Sequence, residues 1–248
     1  MANKRRNIKR KTKTKETNKP LNIFISCEDS SGGLQYIKNL IRNYGFFPKD
    51  SCNKYTDLNN LVEKVKHENG IKIVFVDVDD KLISQGNKDN VNNGIQKAQS
   101  NNICIVVSNE CLELWFLLHF KNQTAYIKRD VIFKTLIKEL LEKKKNVLTN
   151  DEIKNLEKKK IKSIDWFKIF DDNEREEAIK RCKNLLKIKS PLNPWKENPV
   201  TLMCCFIDFL EKLNKIHNNP KLQKEKKEHK IKELIQECYP MAGMEINV

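Results

Sequence analysis

At 248 residues the chain can bury one domain-sized core, or one domain with a helical appendage. Its 48 Lys+Arg against 33 Asp+Glu leave a formal charge of +15, a balance that favours acidic partners such as nucleic acid. No apolar run reaches the roughly 18 residues of a membrane span, and the amino terminus lacks the apolar stretch of a signal peptide, so the expectation is a cytoplasmic protein without membrane contact.

Residues 1–20 carry nine Lys/Arg against Glu16 alone, a net +8, with too little apolar surface to fold unaided. They read as a disordered basic tail, either a solvated segment or one that adds non-specific attraction to phosphates. A short buried strand follows over 21–27, "LNIFISC", and Gly32-Gly33 turns the chain into a helix with Leu34, Ile37, Leu40 and Ile41 at helical spacing. Residues 46–56 hold room for a further strand. "TDLNNLVEKVKHENG" is amphipathic, with Asp57 as N-cap, Leu58, Leu61, Val62 and Val65 on one face, and Gly70 as its end.

"IKIVFVDVDD" is then a β-branched strand over 71–76 that stops abruptly at acids. Polar, Asn-rich residues 83–94 read as a loop before a helix near 95–99. A third strong strand, 103–107, leads into the apolar helix of "SNECLELWFLLHF". Alternation of strand and helix predicts an α/β fold, a parallel sheet flanked by helices. From about residue 126 to 248 the periodicity is helical, a C-terminal extension packed on the domain at 21–125. The Lys-rich runs at 142–162 and 221–232 read as solvated helix faces. Eight cysteines include no Cys-x-x-Cys and stand apart from the four histidines, so they are expected as reduced, mostly buried thiols.

Parallel strands gather their carboxyl ends at one edge, where open α/β sheets bind ligands. Glu28 would end the first strand there. Asp77 and Asp79, two apart, would end the central one with both side chains on one side, Asp80 beside them. Glu113 would open the helix after the next strand. Clustered carboxylates repel unless a cation neutralises them, and an oxygen-only set suits Mg²⁺ or Mn²⁺. The alternative is that Asp77, Asp79 and Asp80 simply begin a solvated loop.

Strand–Glu–helix followed by strand–Asp-x-Asp resembles the TOPRIM domain of topoisomerases, primases and related nucleases. More narrowly the chain resembles the RloB-like family, associated with abortive phage infection. "ISCEDSSGGLQYIKNL" matches that family's opening strand and Cys-Glu, and "FVDVDD" its Asp motif. "SNECLELWFLLHF" is nearly its Ser-Asn-Pro-Cys-Phe-Glu-Leu-Trp block, the most specific match. "EEAIKRCKNL" and "NPVT" are weaker echoes toward the carboxyl end. The likeness covers about residues 21 to 215. Where the family continues Gly-Glu-Lys-Thr-Glu after Cys-Glu, this chain reads Asp29-Ser30-Ser31-Gly32-Gly33, and Glu110 stands in place of Pro.

The resemblance implies a TOPRIM-like Mg²⁺-dependent nuclease in anti-phage defence, with nucleic acid, DNA or RNA, as substrate. It assigns Asp77 and Asp79 to the metal and Glu28 to the metal or to acid–base work, with Asp80 a further ligand. Glu113 joins them as a catalytic candidate. No Gly-x-x-x-x-Gly-Lys-Ser/Thr sequence occurs, so an ATPase would be a separate subunit. The lost residues after Glu28 favour an alternative, a regulatory or nucleotide-sensing module that binds without cleaving. Other residues have two readings each. Glu113 either serves the site, favours the helix dipole, or pairs with a core cation such as Arg181. Asn109 caps the helix or faces substrate. His119 is structural or catalytic, Trp115 core or stacking platform, and Thr201 caps or begins a helix.

Overall fold

The computed structural model describes residues 21–28, 31–50, 57–78, 88–189 and 195–237. The expected basic tail, Asp79 and Asp80 lie outside them. Strand β1 (Asn22–Cys27) leads into helix α1 (Gly32–Asn43), and β2 (Phe47–Asp50) fills the region where a further strand had room. Helix α2 (Leu58–Val65) starts at Asp57, whose side chain accepts the Asn60 N–H at 2.8 Å as the spacing predicts. The helix stops at Val65, earlier than Gly70, where a Cβ would press on the Asn22 carbonyl and the Phe24 ring, both 2.9 Å away.

Next come β3 (Ile71–Asp77), α3 (Lys88–Ser100), β4 (Ile103–Asn109) and α4 (Glu113–Phe120). The α3 helix is longer than its Asn-rich sequence suggests. Weak propensity is overridden by burial of Val91, Ile95 and Ala98 at helical spacing, and by close packing on α2. Gly94 permits that approach: a Cβ there would come within 2.8 Å of Leu58.

The carboxyl-terminal part is helical: α5 (Arg129–Lys143), α6 (Asn150–Glu157), a 3-10 turn (Ile161–Ser163), α7 (Trp166–Ile169), α8 (Asp172–Ile188), α9 (Met203–His217) and α10 (Lys224–Glu237). Among its described residues the one strand is β5 (Val200–Thr201), which joins the sheet. The sheet order is β2-β1-β3-β4-β5, parallel throughout except that β5 runs antiparallel to β4. Thr201 therefore does more than open α9, although its Oγ1 does accept the Met203 N–H at 3.4 Å. Its hydroxyl also bonds the Ser108 hydroxyl at 2.8 Å, both buried, which ties the helical part to the strand beside the acidic edge.

β1, β3 and β4 are near-continuous apolar runs because both sheet faces are covered there, whereas the edge strand β2 is mostly exposed. Phe206 of α9 meets Phe75 of β3 edge-on at 5.0 Å. On α4, Trp115 donates its Nε1–H to the Tyr36 hydroxyl of α1 at 3.0 Å, and Phe116 stacks on Trp166 at 4.2 Å. Both aromatics are core. Among the described cysteines, Cys27, Cys104, Cys111, Cys182 and Cys204 are buried free thiols and Cys205 is a half-buried one. No helix among the described residues is long and apolar enough to cross a membrane.

Candidate functional site

Strand register builds the site. Cys27 lies beside Phe75 and Asp77 beside Ser108, so β1 and β3 finish next to each other and β4 carries on past both. Glu28 follows the end of β1, Asp77 is the last residue of β3, and α4 begins at Glu113 just beyond β4. A small cleft is lined by Glu28, Asp77, Ser108 and Leu112.

Asp77 is the hub. Its Oδ1 accepts the Leu112 backbone N–H at 2.9 Å, and its Oδ2 receives Arg129 Nη2 at 3.2 Å. Leu112 precedes the first residue of α4 and makes no side-chain cap of its own. A strand-end carboxylate thus satisfies one of the orphan N–H groups and sits at the positive end of the helix. The expected cap, Asn109, is instead the last residue of β4, and its Nδ2 donates to the Trp195 carbonyl at 3.5 Å. β4 runs two residues farther than its apolar sequence because Val200 and Thr201 pair with Asn109 and Ser108.

The side chain of Asp77 keeps 22% exposure, yet the protein around it is dense enough that burial is the largest influence on its acidity. Burial and the neighbouring Glu113 push its carboxyl well above the usual range. Arg129 opposes them, Glu28 adds to them, and the Leu112 N–H opposes weakly. Glu28, Asp77 and Glu113 therefore share one electrostatic neighbourhood. Burial and the same two acids, Glu113 and Asp77, raise the Cys111 thiol, which bonds the Glu113 side chain. Among the described residues, no three His, Cys, Asp or Glu side chains are spaced as a metal cage. Asp79 and Asp80 belong to the part of the acidic run outside that description.

Arg129 was not foreseen. It lies 52 residues from Asp77, and nothing in "YIKRDV" distinguishes it from any other surface arginine. Its position is set by Glu110, whose Oε2 accepts the Arg129 backbone N–H at 2.9 Å and whose carbonyl accepts Arg129 Nη2 at 3.1 Å. Asn198 Nδ2 holds the other oxygen of Glu110 at 3.0 Å. The departure from Pro at this position thus has a function: Glu110 caps α5 and aims its first side chain at Asp77.

Glu113 is 6% exposed and sits on the inner face of the first turn of α4. The suggested partner Arg181 is engaged elsewhere, donating Nη1 to the Leu118 and His119 carbonyls at 2.8 Å each. His119 is a core residue. Its Nδ1–H donates to the Trp115 carbonyl at 3.0 Å, its ring stacks on Phe170 at 3.8 Å, and burial pushes its pKa down to about 3. A neutral imidazole closed off by aromatic rings is unsuited to proton transfer at the cleft.

No curated protein and no solved structure matches the chain. A family model described as RloB-like protein matches residues 23–210, a span that runs from β1 through most of α9 and contains every element that places Glu28, Asp77 and Glu113. The chain belongs to the RloB-like family.

Proposed function

We propose that the protein is a metal-dependent nuclease that hydrolyses phosphodiester bonds of nucleic acid in anti-phage defence. The observation that carries this reading is that Glu28 and Asp77 line one cleft at the carboxyl edge of the parallel strands, where burial and then repulsion from Glu113 and Glu28 raise the Asp77 carboxyl. A group of acids crowded in this way attracts positive charge, and its all-oxygen donors suit Mg²⁺ or Mn²⁺. Asp77 and Glu28 would hold the metal, joined by Asp79 and Asp80 as the family resemblance implies. Bound there, the ion would polarise the phosphodiester and help to raise a nucleophile from water. Glu113, buried beside Asp77, would hold or move a proton at its carboxyl. The family association further suggests a separate ATPase subunit.

Two observations favour a second reading, a site that binds a nucleotide or nucleic acid without cutting it. Arg129 already supplies a positive charge to Asp77, and the segment after Glu28 lacks the family's Glu-Lys-Thr-Glu. Purified protein incubated with Mg²⁺ or Mn²⁺ and, separately, plasmid, single-stranded DNA, tRNA and total RNA decides between them. The nuclease reading expects cleavage that EDTA abolishes and Asp77→Asn removes. Binding with no cleavage of any substrate, with either metal, would leave the second reading standing.

A further inference from the structure

The connection between α4 and α5, residues 121–128, reads "KNQTAYIK" and has no regular structure. Its path is nevertheless fixed. The Ile127 N–H donates to Asn198 Oδ1 at 3.1 Å, and the Ile127 carbonyl accepts Asn198 Nδ2 at 3.2 Å. The Ile127 side chain is buried at 7% exposure. The residues flanking Ile127 face the other way: Tyr126 and Lys128 are exposed. Tyr126 is 63% exposed, a large aromatic on the surface beside the pinned Ile127. Lys121 and Lys128 are exposed as well, and residues 121–129 contain three cations and no acid. The nearest acid in sequence, Asp130, pairs with Lys134 at 3.1 Å.

The same segment ends at the site. Arg129 places its guanidinium on Asp77, and Asn198 grips both Ile127 and Glu110, so one small network positions both the arginine and the loop. Tyr126 thus stands three residues, at most about 11 Å of extended chain, from the arginine that contacts Asp77. An exposed ring beside cations is the pairing by which unpaired strands are held, since phosphates meet the charges and a base face stacks on the aromatic. Duplex bases offer no free face to such a ring.

We propose that Tyr126, flanked by Lys128 and Arg129, is a stacking platform that feeds an unpaired nucleic-acid strand to the carboxylate cleft. The substrate of the proposed nuclease is therefore single-stranded, or a single-stranded loop. This rests on the nuclease reading for the cleft but not for the binding.

The test is fluorescence anisotropy with the full chain in EDTA, using labelled oligothymidylate, oligouridylate and a duplex of the same length. The wild type should favour a single strand over the duplex. Tyr126→Ala should weaken single-strand affinity by roughly 5- to 150-fold, the worth of one base–aromatic stack, with its salt dependence unchanged, and Tyr126→Phe should restore it. Lys128→Gln should instead flatten the salt dependence by about 0.7 in log–log slope. Equal single-strand affinity for wild type and Tyr126→Ala, or no single-strand binding by the wild type, would overturn the platform. Tyr126-dependent binding without metal-dependent cleavage would defeat the nuclease reading alone. Cleavage of single strands by Tyr126→Ala at the wild-type rate would defeat the platform alone.

Discussion

Asp77 Oδ2 and Arg129 Nη2 meet at 3.2 Å across 52 residues of sequence, joining the end of the central strand to the first residue of α5. The carboxylate is crowded by Glu113 and Glu28, so the arginine relieves a repulsion built into the sheet edge. A divalent ion would compete for that same oxygen. Both partners are partly exposed, 36% and 22%, which limits the pair's worth to about 1 kcal/mol.

Arg129→Gln should thus lower stability by roughly 1 kcal/mol, and less in an Asp77→Asn background, the difference being the coupling between the two. If the proposed site takes Mg²⁺ or Mn²⁺, the substitution should also enlarge the rise in melting temperature on adding either ion, because the cation's rival is gone. Asp77→Asn keeps an oxygen for the Leu112 N–H, so its fold should persist while metal-dependent cleavage disappears. Urea titrations of the double-mutant cycle measure the first effect. Costs that simply add would mean that the two side chains are not coupled.

The hydroxyl pair Ser108–Thr201 predicts how the sheet and the carboxyl-terminal helices unfold. Thr201→Val leaves the Ser108 hydroxyl buried with its partner removed, at a cost of about 1–3 kcal/mol. Because β5 and α9 complete the sheet that carries Asp77, unfolding should remain a single transition at the lower midpoint. A chain ending at residue 125 would lose the Phe206 cover over Phe75 and should not fold cooperatively. Near-ultraviolet circular dichroism during melting reads both. Two separate transitions in the full chain would show that the parts are independent.

Most of the sheet was legible because buried parallel strands are apolar runs that need little context. The sequence also placed Glu28, Asp77 and Glu113, since each sits at a strand end or helix start that periodicity locates. Contacts made over long separations were not legible. Arg129 reaches Asp77 only after α4 and α5 are oriented, and Glu110 acquires its meaning from Asn198, 88 residues away. Val200 and Thr201 are too short a strand to show a pattern, and only pairing with β4 reveals them. The α3 helix outruns its own sequence signal because Asn is a poor helix former, while its real support is tertiary.

His119 gives a pH dependence with a definite sign. Its pKa falls from an ordinary 6.5 to about 3 in the folded protein, so the unfolded chain takes up the proton first. The resulting stability is present above pH 6.5 and is lost as pH falls toward 3, on the order of 5 kcal/mol over the whole window. His119→Phe has no such proton to bind. It should be less stable at neutral pH if the larger ring crowds Phe170, yet its stability should vary less between these two pH values. Cleavage at neutral pH should be retained. Parallel wild-type and variant curves in this range would mean that His119 is not held neutral.

Glu113 is where stability and chemistry are separable. Arg181 is occupied by the Leu118 and His119 carbonyls, so the variant Glu113→Gln does not strand that cation. The amide oxygen can still accept from the Cys111 thiol, while the charge that raises the Asp77 carboxyl is gone. Asp77 should therefore titrate closer to its ordinary range. A carboxyl raised in the folded state destabilises as pH rises past its unfolded value of about 4, so relieving it helps at neutral pH and does nothing in acid. The expected result is a melting temperature that holds or rises at pH 7 without metal, and converges with the wild type in acid. Metal-dependent cleavage should meanwhile fall by about 100-fold or more, as for loss of a proton-transfer group. A variant that is both as active as the wild type and unchanged in its pH–stability profile would remove Glu113 from the site. A collapse in stability at neutral pH would mean that its carboxylate is held by a buried cation after all.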